Sequence, residues 1–168
     1  MNVYDFDKTI YDGDSTIDFY LFSIKKDFTL IRYFPKQVFY MILYHLKKVT
    51  KEKYKEKFFS FLKGIKNIDK EIEEFWLRNE KKIKQWYLNQ KNKEDVVISA
   101  SPEWLLSPII NNLGINLIAT KVNKETGRFN SLNCYGKEKV KRFKEKFPNG
   151  EIENFYSDHH SDTPMFLI

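Results

Sequence analysis

A single cysteine, Cys134, in 168 residues leaves the chain no partner for a disulfide and no cluster for a multi-cysteine zinc module. Glycine and proline are sparse at six and five, which excludes collagen-like or linker composition. No apolar run is long enough to cross a bilayer, because the most apolar window, residues 30–46, is interrupted by Arg32, Pro35 and Lys36. Met1 leads directly into a strand-like run without a basic stretch followed by an apolar one, so the expected address is cytoplasmic. What is present is a folding composition, 42% hydrophobic, 17% aromatic and 31% charged, which excludes a disordered chain. Its length suits one compact domain carrying a sizeable insertion.

The net charge of +6 is unevenly spread. Residues 1–24 carry −4, residues 25–93 carry +11 and residues 94–168 carry −1. Such a pattern suits an acidic body, able to hold a metal, interrupted by a basic insertion that meets something anionic. The plainer alternative is that Lys and Glu simply solvate long helices.

Residues 1–6 form a short apolar run ending in acids, which predicts a buried strand. Apolar spacing predicts a helix over 15–24, with Asp14 or Ser15 as its cap, and a second from Pro35 to Leu46 that is apolar on several sides and so expected to be buried in a bundle. Helical periodicity continues over 51–63 and 69–90. From Asp95 the pattern changes. Val96, Val97 and Ile98 read as a strand, Ser101-Pro102-Glu103 as a helix cap and start, and Gly114 as its stop. Residues 116–122 and 128–133 around the turn 123–127 suggest a hairpin; 137–147 is a helix ended by Pro148, and 152–156 a further strand. Strands alternating with helices imply a mostly parallel sheet.

In an open α/β sheet, ligands collect at the carboxyl ends of the strands, and those ends here carry Asp5 and Asp7, Ser99, and Asp158 and Asp162. Acids crowded at one edge repel one another unless a hard cation offsets them, and carboxylate oxygens point to Mg2+. Taken alone, two Asp at a strand end are more often turn or capping residues. Together with VVIS at 96–99, GKEK at 136–139 and SDHHSD at 157–162, the string DFDKT at 5–9 resembles the motif set of the haloacid dehalogenase superfamily. The finer strings ISASPEW, NCYGKEK and YSDHHSD are similar to its phosphoserine-phosphatase-like subfamily.

That resemblance implies a Rossmann-like α/β core, residues 1–13 and 92–168, with an inserted helical cap of the C1 type over 14–91. It implies a Mg2+-dependent phosphatase acting on a small phosphorylated substrate. Asp5 would be the nucleophile and Asp7 the acid and base. Asp5, the backbone carbonyl of Asp7, and Asp158 would hold the metal, with Asp162 behind them on a metal-bound water or on the lysine. Thr9, Ser99 and Lys139 would serve the phosphate and its loop. The subfamily's GxxK spacing after Gly136 favours Lys139 over Lys137 and Lys141. His159 and His160 are read as loop residues, since adjacent histidines seldom chelate one ion. Cys134 is read as a packing residue.

Two departures bear on the substrate and the edge of the sheet. Where phosphoserine phosphatases carry a Glu and paired glycines, this chain has Asp14 and Ala100-Ser101, so phosphoserine is not the expected substrate. The chain also stops about ten residues past the start of the last motif, which predicts an uncovered edge strand and with it either marginal stability or self-association. Alternatives are a phospholipid head-group phosphatase at an anionic membrane surface, a non-catalytic basic binding module, or an inactive remnant. Nucleic acid is disfavoured because no recognition motif interrupts the lysine-rich helices.

Overall fold

The computed structural model describes residues 1–167. Four strands, β1 (Asn2–Tyr4), β2 (Val96–Pro102), β3 (Asn116–Thr120) and β4 (Asn154–Tyr156), form one parallel sheet in the order β3-β2-β1-β4. Val3 stands beside Val96 on one side and Phe155 on the other. Alternate strand residues face opposite sides of a sheet. Val3, Val96 and Ile98 therefore pack into one apolar cluster with Phe143 and Met165, while Tyr4 and Val97 enter the other with Phe75 and Leu105. Burial on both faces is why β2 reads as an unbroken apolar run.

Between β1 and β2 the chain is helical: α1 (Ser15–Lys26), α2 (Phe34–His45), α3 (Lys51–Phe58), α4 (Ile68–Asn79) and α5 (Gln85–Gln90), with tight 3-10 turns at 28–33, 59–64 and 80–82. Phe19, Phe61 and Trp76 join the sheet's Tyr4-side cluster, and Trp76 Nε1 donates to the Leu105 carbonyl at 2.6 Å. The helical insertion and one face of the sheet thus share a core. After β2 come α6 (Glu103–Leu113), closed by left-handed Gly114, and α7 (Lys137–Lys146), entered through Gly136 at a φ of 56° that favours glycine. Among the described residues no helix is long and apolar enough to cross a membrane.

Several expectations are revised. α2 is not buried: of its side chains only Gln37 is fully enclosed, bonded to Tyr20 Oη and the Phe58 carbonyl, while Phe39 and Ile42 face solvent. Its apolar residues lie on more faces than its neighbours cover. The hairpin over 116–133 reduces to one isolated bridge between Val122 and Phe129, because β3 takes β2 as its parallel partner. Residues 51–63 and 69–90 are each helices broken by 3-10 turns. β2 runs on to Pro102, so Ser101 is a strand residue and not a helix cap. β4 begins at Asn154 and lies at the edge of the described sheet.

Candidate active site

β1 ends at Tyr4, and the next residue continues its ladder, Asp5 N–H donating to the Tyr156 carbonyl of β4 at 2.8 Å. The Asp5 side chain therefore emerges at the carboxyl edge of the sheet. There Lys139, only 2% exposed, lies between two carboxylates: its Nζ is 2.7 Å from Asp5 Oδ1 and 2.6 Å from Asp162 Oδ2. Ser157 Oγ also donates to Asp162 Oδ2, at 2.8 Å. Burial pushes the Asp5 carboxyl above its usual range against the pull of Lys139. Burial alone would lower Lys139, but Asp5 and Asp162 outweigh it and hold the ammonium above its ordinary value. Of the three lysines of the 137–141 stretch, Lys139 is the one enclosed here.

Asp7 is fixed at both oxygens. Its Oδ1 accepts from the Ser15 N–H at 2.6 Å, where α1 begins, and its Oδ2 accepts from Ser101 Oγ at 2.5 Å. Burial, with the nearby charge of Asp14, pushes its carboxyl up to about 6. Asp14 itself caps α1, its Oδ1 accepting from Ile17 N–H at 3.0 Å. The intervening loop carries Lys8 in the left-handed region, φ 62°, a conformation uncommon for a residue with a Cβ. Thr9 Oγ1 accepts the Asp158 N–H at 3.2 Å and so ties this loop to the one after β4. Ser99 is buried and its Oγ accepts from Ser101 N–H at 3.1 Å, which leaves its own proton free to donate.

The remaining sequence candidates lie at the rim or apart. The Asp158 side chain is exposed, as are His159 and His160, and His159 Nδ1 pairs with Ser161 Oγ. Cys134 is buried in the apolar cluster with its thiol pushed up to about 11 by burial. Among the described residues no group of three or more His, Cys, Asp or Glu side chains is gathered to hold a metal ion. Mg2+ does not require one, since it uses one or two carboxylates and keeps water and phosphate oxygens as its other ligands. With two carboxylates against one lysine in the enclosed part of the site, and the His159 and His160 nitrogens out on the exposed part of the loop, the enclosed donors are oxygens and suit a hard cation.

Two features escaped the sequence. Ser101 holds Asp7 instead of capping a helix. Lys55, from α3, reaches across to the sheet, where its Nζ donates to the Ala100 carbonyl at 3.1 Å and to Asn133 Oδ1 at 3.0 Å. Burial, helped by the charge of Lys51, lowers this lysine to about 8, while Asp14 and Asp7 draw it upward. Asn133 is buried, and among the described residues its Nδ2 has no partner. Nothing in the string KEKYKEK separates Lys55 from its solvated neighbours.

A family model described as haloacid dehalogenase-like hydrolase matches residues 3–167. Over 85 residues the chain is 33% identical to protein CicA of Caulobacter vibrioides, recorded for strains NA1000 / CB15N and ATCC 19089. That match takes in 46% of this chain and 38% of CicA, well under half the relative's length. Among solved structures, a protein of unknown function from Bordetella pertussis Tohama I superposes with a TM-score of 0.75 at 19% identity, covering 99% of this chain and 85% of that one. A phosphoserine phosphohydrolase-like protein from Francisella tularensis subsp. tularensis SCHU S4 does so at 0.59 and 18%, covering 99% and 82%. At such identities the two structures share the fold with this chain.

Proposed function

The chain belongs to the haloacid dehalogenase-like hydrolase family, and from that premise we propose that it is a Mg2+-dependent phosphatase of small organic phosphomonoesters, working through an aspartyl-phosphate on Asp5. The observation that carries this reading is the enclosure of Lys139 between Asp5 and Asp162, since a cation held on Asp5 Oδ1 at the sheet's carboxyl edge leaves Oδ2 outside the ion pair.

In the first step Asp5 Oδ2 attacks phosphorus, the phosphorus–oxygen ester bond breaks, and the departing alkoxide takes the proton of the Asp7 carboxyl. In the second step water attacks the phosphorus of the acyl-phosphate, gives its proton to Asp7, and releases inorganic phosphate with Asp5 regenerated. An Asp7 carboxyl raised to about 6 suits both halves of that exchange, because an acid–base group works best near the operating pH. Ser101 and the start of α1 keep it aimed. Ser99 Oγ and the Lys139 ammonium would bind the phosphoryl oxygens, and Thr9 would hold the loop. The Asp5 carboxylate, the Asp7 carbonyl and Asp158 would hold Mg2+, with Asp162 orienting Lys139. Bound there, Mg2+ supplies positive charge to the transferring phosphoryl group.

Residues 14–91 act in this reading as a cap over a core of 1–13 and 92–168. From the cap, Lys55 and, from the core, the unpartnered Asn133 Nδ2 offer donors to the substrate. Asp14 keeps one oxygen on the start of α1 and, being shorter than the Glu of phosphoserine phosphatases, reaches less far toward a substrate amine, which argues against phosphoserine. The test is turnover of an aryl phosphate with Mg2+. Activity lost to EDTA, restored by Mg2+ and absent in Asp5→Asn supports the reading, and near wild-type activity in Asp5→Asn overturns it. In Asp158→Ala a higher Mg2+ requirement is expected, and an unchanged one removes Asp158 from the site.

A further inference from the structure

Between residues 28 and 51 the chain contains no acid, and it carries five cations, Arg32, Lys36, Lys47, Lys48 and Lys51. Among the described residues none of the five is in an ion pair. The same stretch exposes large apolar side chains. Phe39, Ile42 and Leu46 are 56%, 50% and 59% exposed, and their i, i+3, i+7 spacing puts them in one stripe along α2 and its end. Phe28, at 72%, and Phe34, at 49%, extend the exposed apolar surface at the N-terminal end of that helix. Isolated exposed apolar residues are ordinary, but an aligned stripe flanked by unpaired cations is not.

A second basic feature adjoins it. Lys36 of α2, Lys53 and Lys57 of α3, Lys63 and Arg128 surround a pocket of about 290 Å3. Its single acid, Glu56, is occupied by the Phe129 N–H at Oε1, and Lys57 Nζ stands 5.4 Å from the centre of the Tyr40 ring on α2. Through Lys36 and Tyr40 the basic pocket adjoins the helix that carries the stripe.

We propose that α2 is a docking surface for an anionic phospholipid bilayer, the stripe entering the boundary between headgroups and acyl chains while the cations and the pocket meet lipid phosphates. Helices with an apolar face and a cationic border lie in that boundary without crossing the membrane. Each Lys or Arg near an anionic leaflet adds attraction that salt screens. A second copy of this chain is a poorer occupant, because a two-fold contact would set this cation-rich surface against itself. The inference does not depend on the proposed catalytic chemistry, though a lipid-bound enzyme would meet its substrates at that surface.

The test is co-sedimentation of the intact protein with vesicles of phosphatidylcholine alone or with a minority of phosphatidylglycerol. Binding is expected to the anionic vesicles, to weaken with salt and to be far lower on the neutral ones. Lys47→Gln with Lys48→Gln should weaken it about 30-fold, at roughly 1 kcal/mol per charge. Phe39→Ser with Ile42→Ser should abolish it, with far-ultraviolet circular dichroism unchanged because both side chains are already exposed. Soluble aryl phosphate turnover should stay at the wild-type level in both variants, so a failure on vesicles is separable from a failure of the phosphatase reading. Absence of binding to anionic vesicles at low salt overturns the proposal, as does wild-type binding by the Phe39→Ser, Ile42→Ser variant. A dimer by light scattering that this variant dissociates, without vesicle binding, assigns the stripe to self-association instead.

Discussion

Replacing Lys55 by methionine separates function from stability. A lysine held at about 8 rather than near its ordinary value carries about 3 kcal/mol of penalty on its charged form, by ~1.4 kcal/mol for each factor of ten. The side chain is only part-buried, so about 1–2 kcal/mol is the expected gain when the charge is removed and the stem is kept. Of the two acceptors it leaves, the single proton of the Thr120 hydroxyl, 3.1 Å from the Ala100 carbonyl and 3.3 Å from Asn133 Oδ1, serves one, which sets the gain toward the lower end of that range. For a chain of this size the gain corresponds to a rise in Tm of about 2–8 °C at pH 7. The sign reverses no trend but sets a window. Because the folded-state value lies below the unfolded one, wild type bears the penalty in full below about pH 8 and sheds it between about 8 and ~10.4, so the two proteins should converge as pH rises. Meanwhile kcat/KM on an aryl phosphate should fall about 10- to 200-fold, the value of one charge-assisted hydrogen bond. Thermal melts from pH 7 to 10 and steady-state kinetics read both effects. A variant less stable than wild type at pH 7, with activity retained, would refute the reasoning.

Lys139→Met removes the cation between two enclosed carboxylates and should cost about 3–5 kcal/mol, the usual result of breaking a buried pair, with most of the loss recovered in the double variant with Asp162→Asn; denaturant unfolding of both measures it, and additive effects would contradict the coupling. Asp7→Asn keeps an acceptor for Ser15 N–H but has no proton to exchange, so turnover should fall roughly 10²- to 10⁴-fold with the fold intact by circular dichroism. Ser101→Ala should lower turnover less than Asp7→Asn does, since Ser15 N–H still holds the Asp7 carboxylate at one oxygen; an equal loss would mean that Ser101 itself touches substrate.

Features written in local chemistry were readable in the chain. The stop at Gly114, the strand through Val96 to Ile98 and the helix ending before Pro148 depend on a left-handed turn, a doubly buried strand and a missing N–H, all visible in a few residues. The crowding of Asp5, Lys139 and Asp162 was anticipated through the family's motif spacing, since residues 134 positions apart carry no periodic signal of their own. Long-range partnership was not readable. The alternation over 116–133 fits a hairpin as well as a parallel strand, and only the presence of β2 decides between them. Ser101 fits a cap as well as a hydrogen bond to Asp7. The apolar faces of α2 fit a bundle core as well as a surface, because composition does not state what covers a helix. Lys55 is one lysine of several in α3, distinguished only by the direction in which the helix aims it.

The central claim is that Asp5 takes the phosphoryl group. It is tested most directly by quenching the protein in acid during turnover of a phosphomonoester, reducing the acyl-phosphate with borohydride and locating the modified residue by peptide mass spectrometry. The account predicts conversion of residue 5, and of no other residue, in wild type, and none in Asp5→Asn. Turnover without modification at Asp5, or modification at another residue, would contradict it.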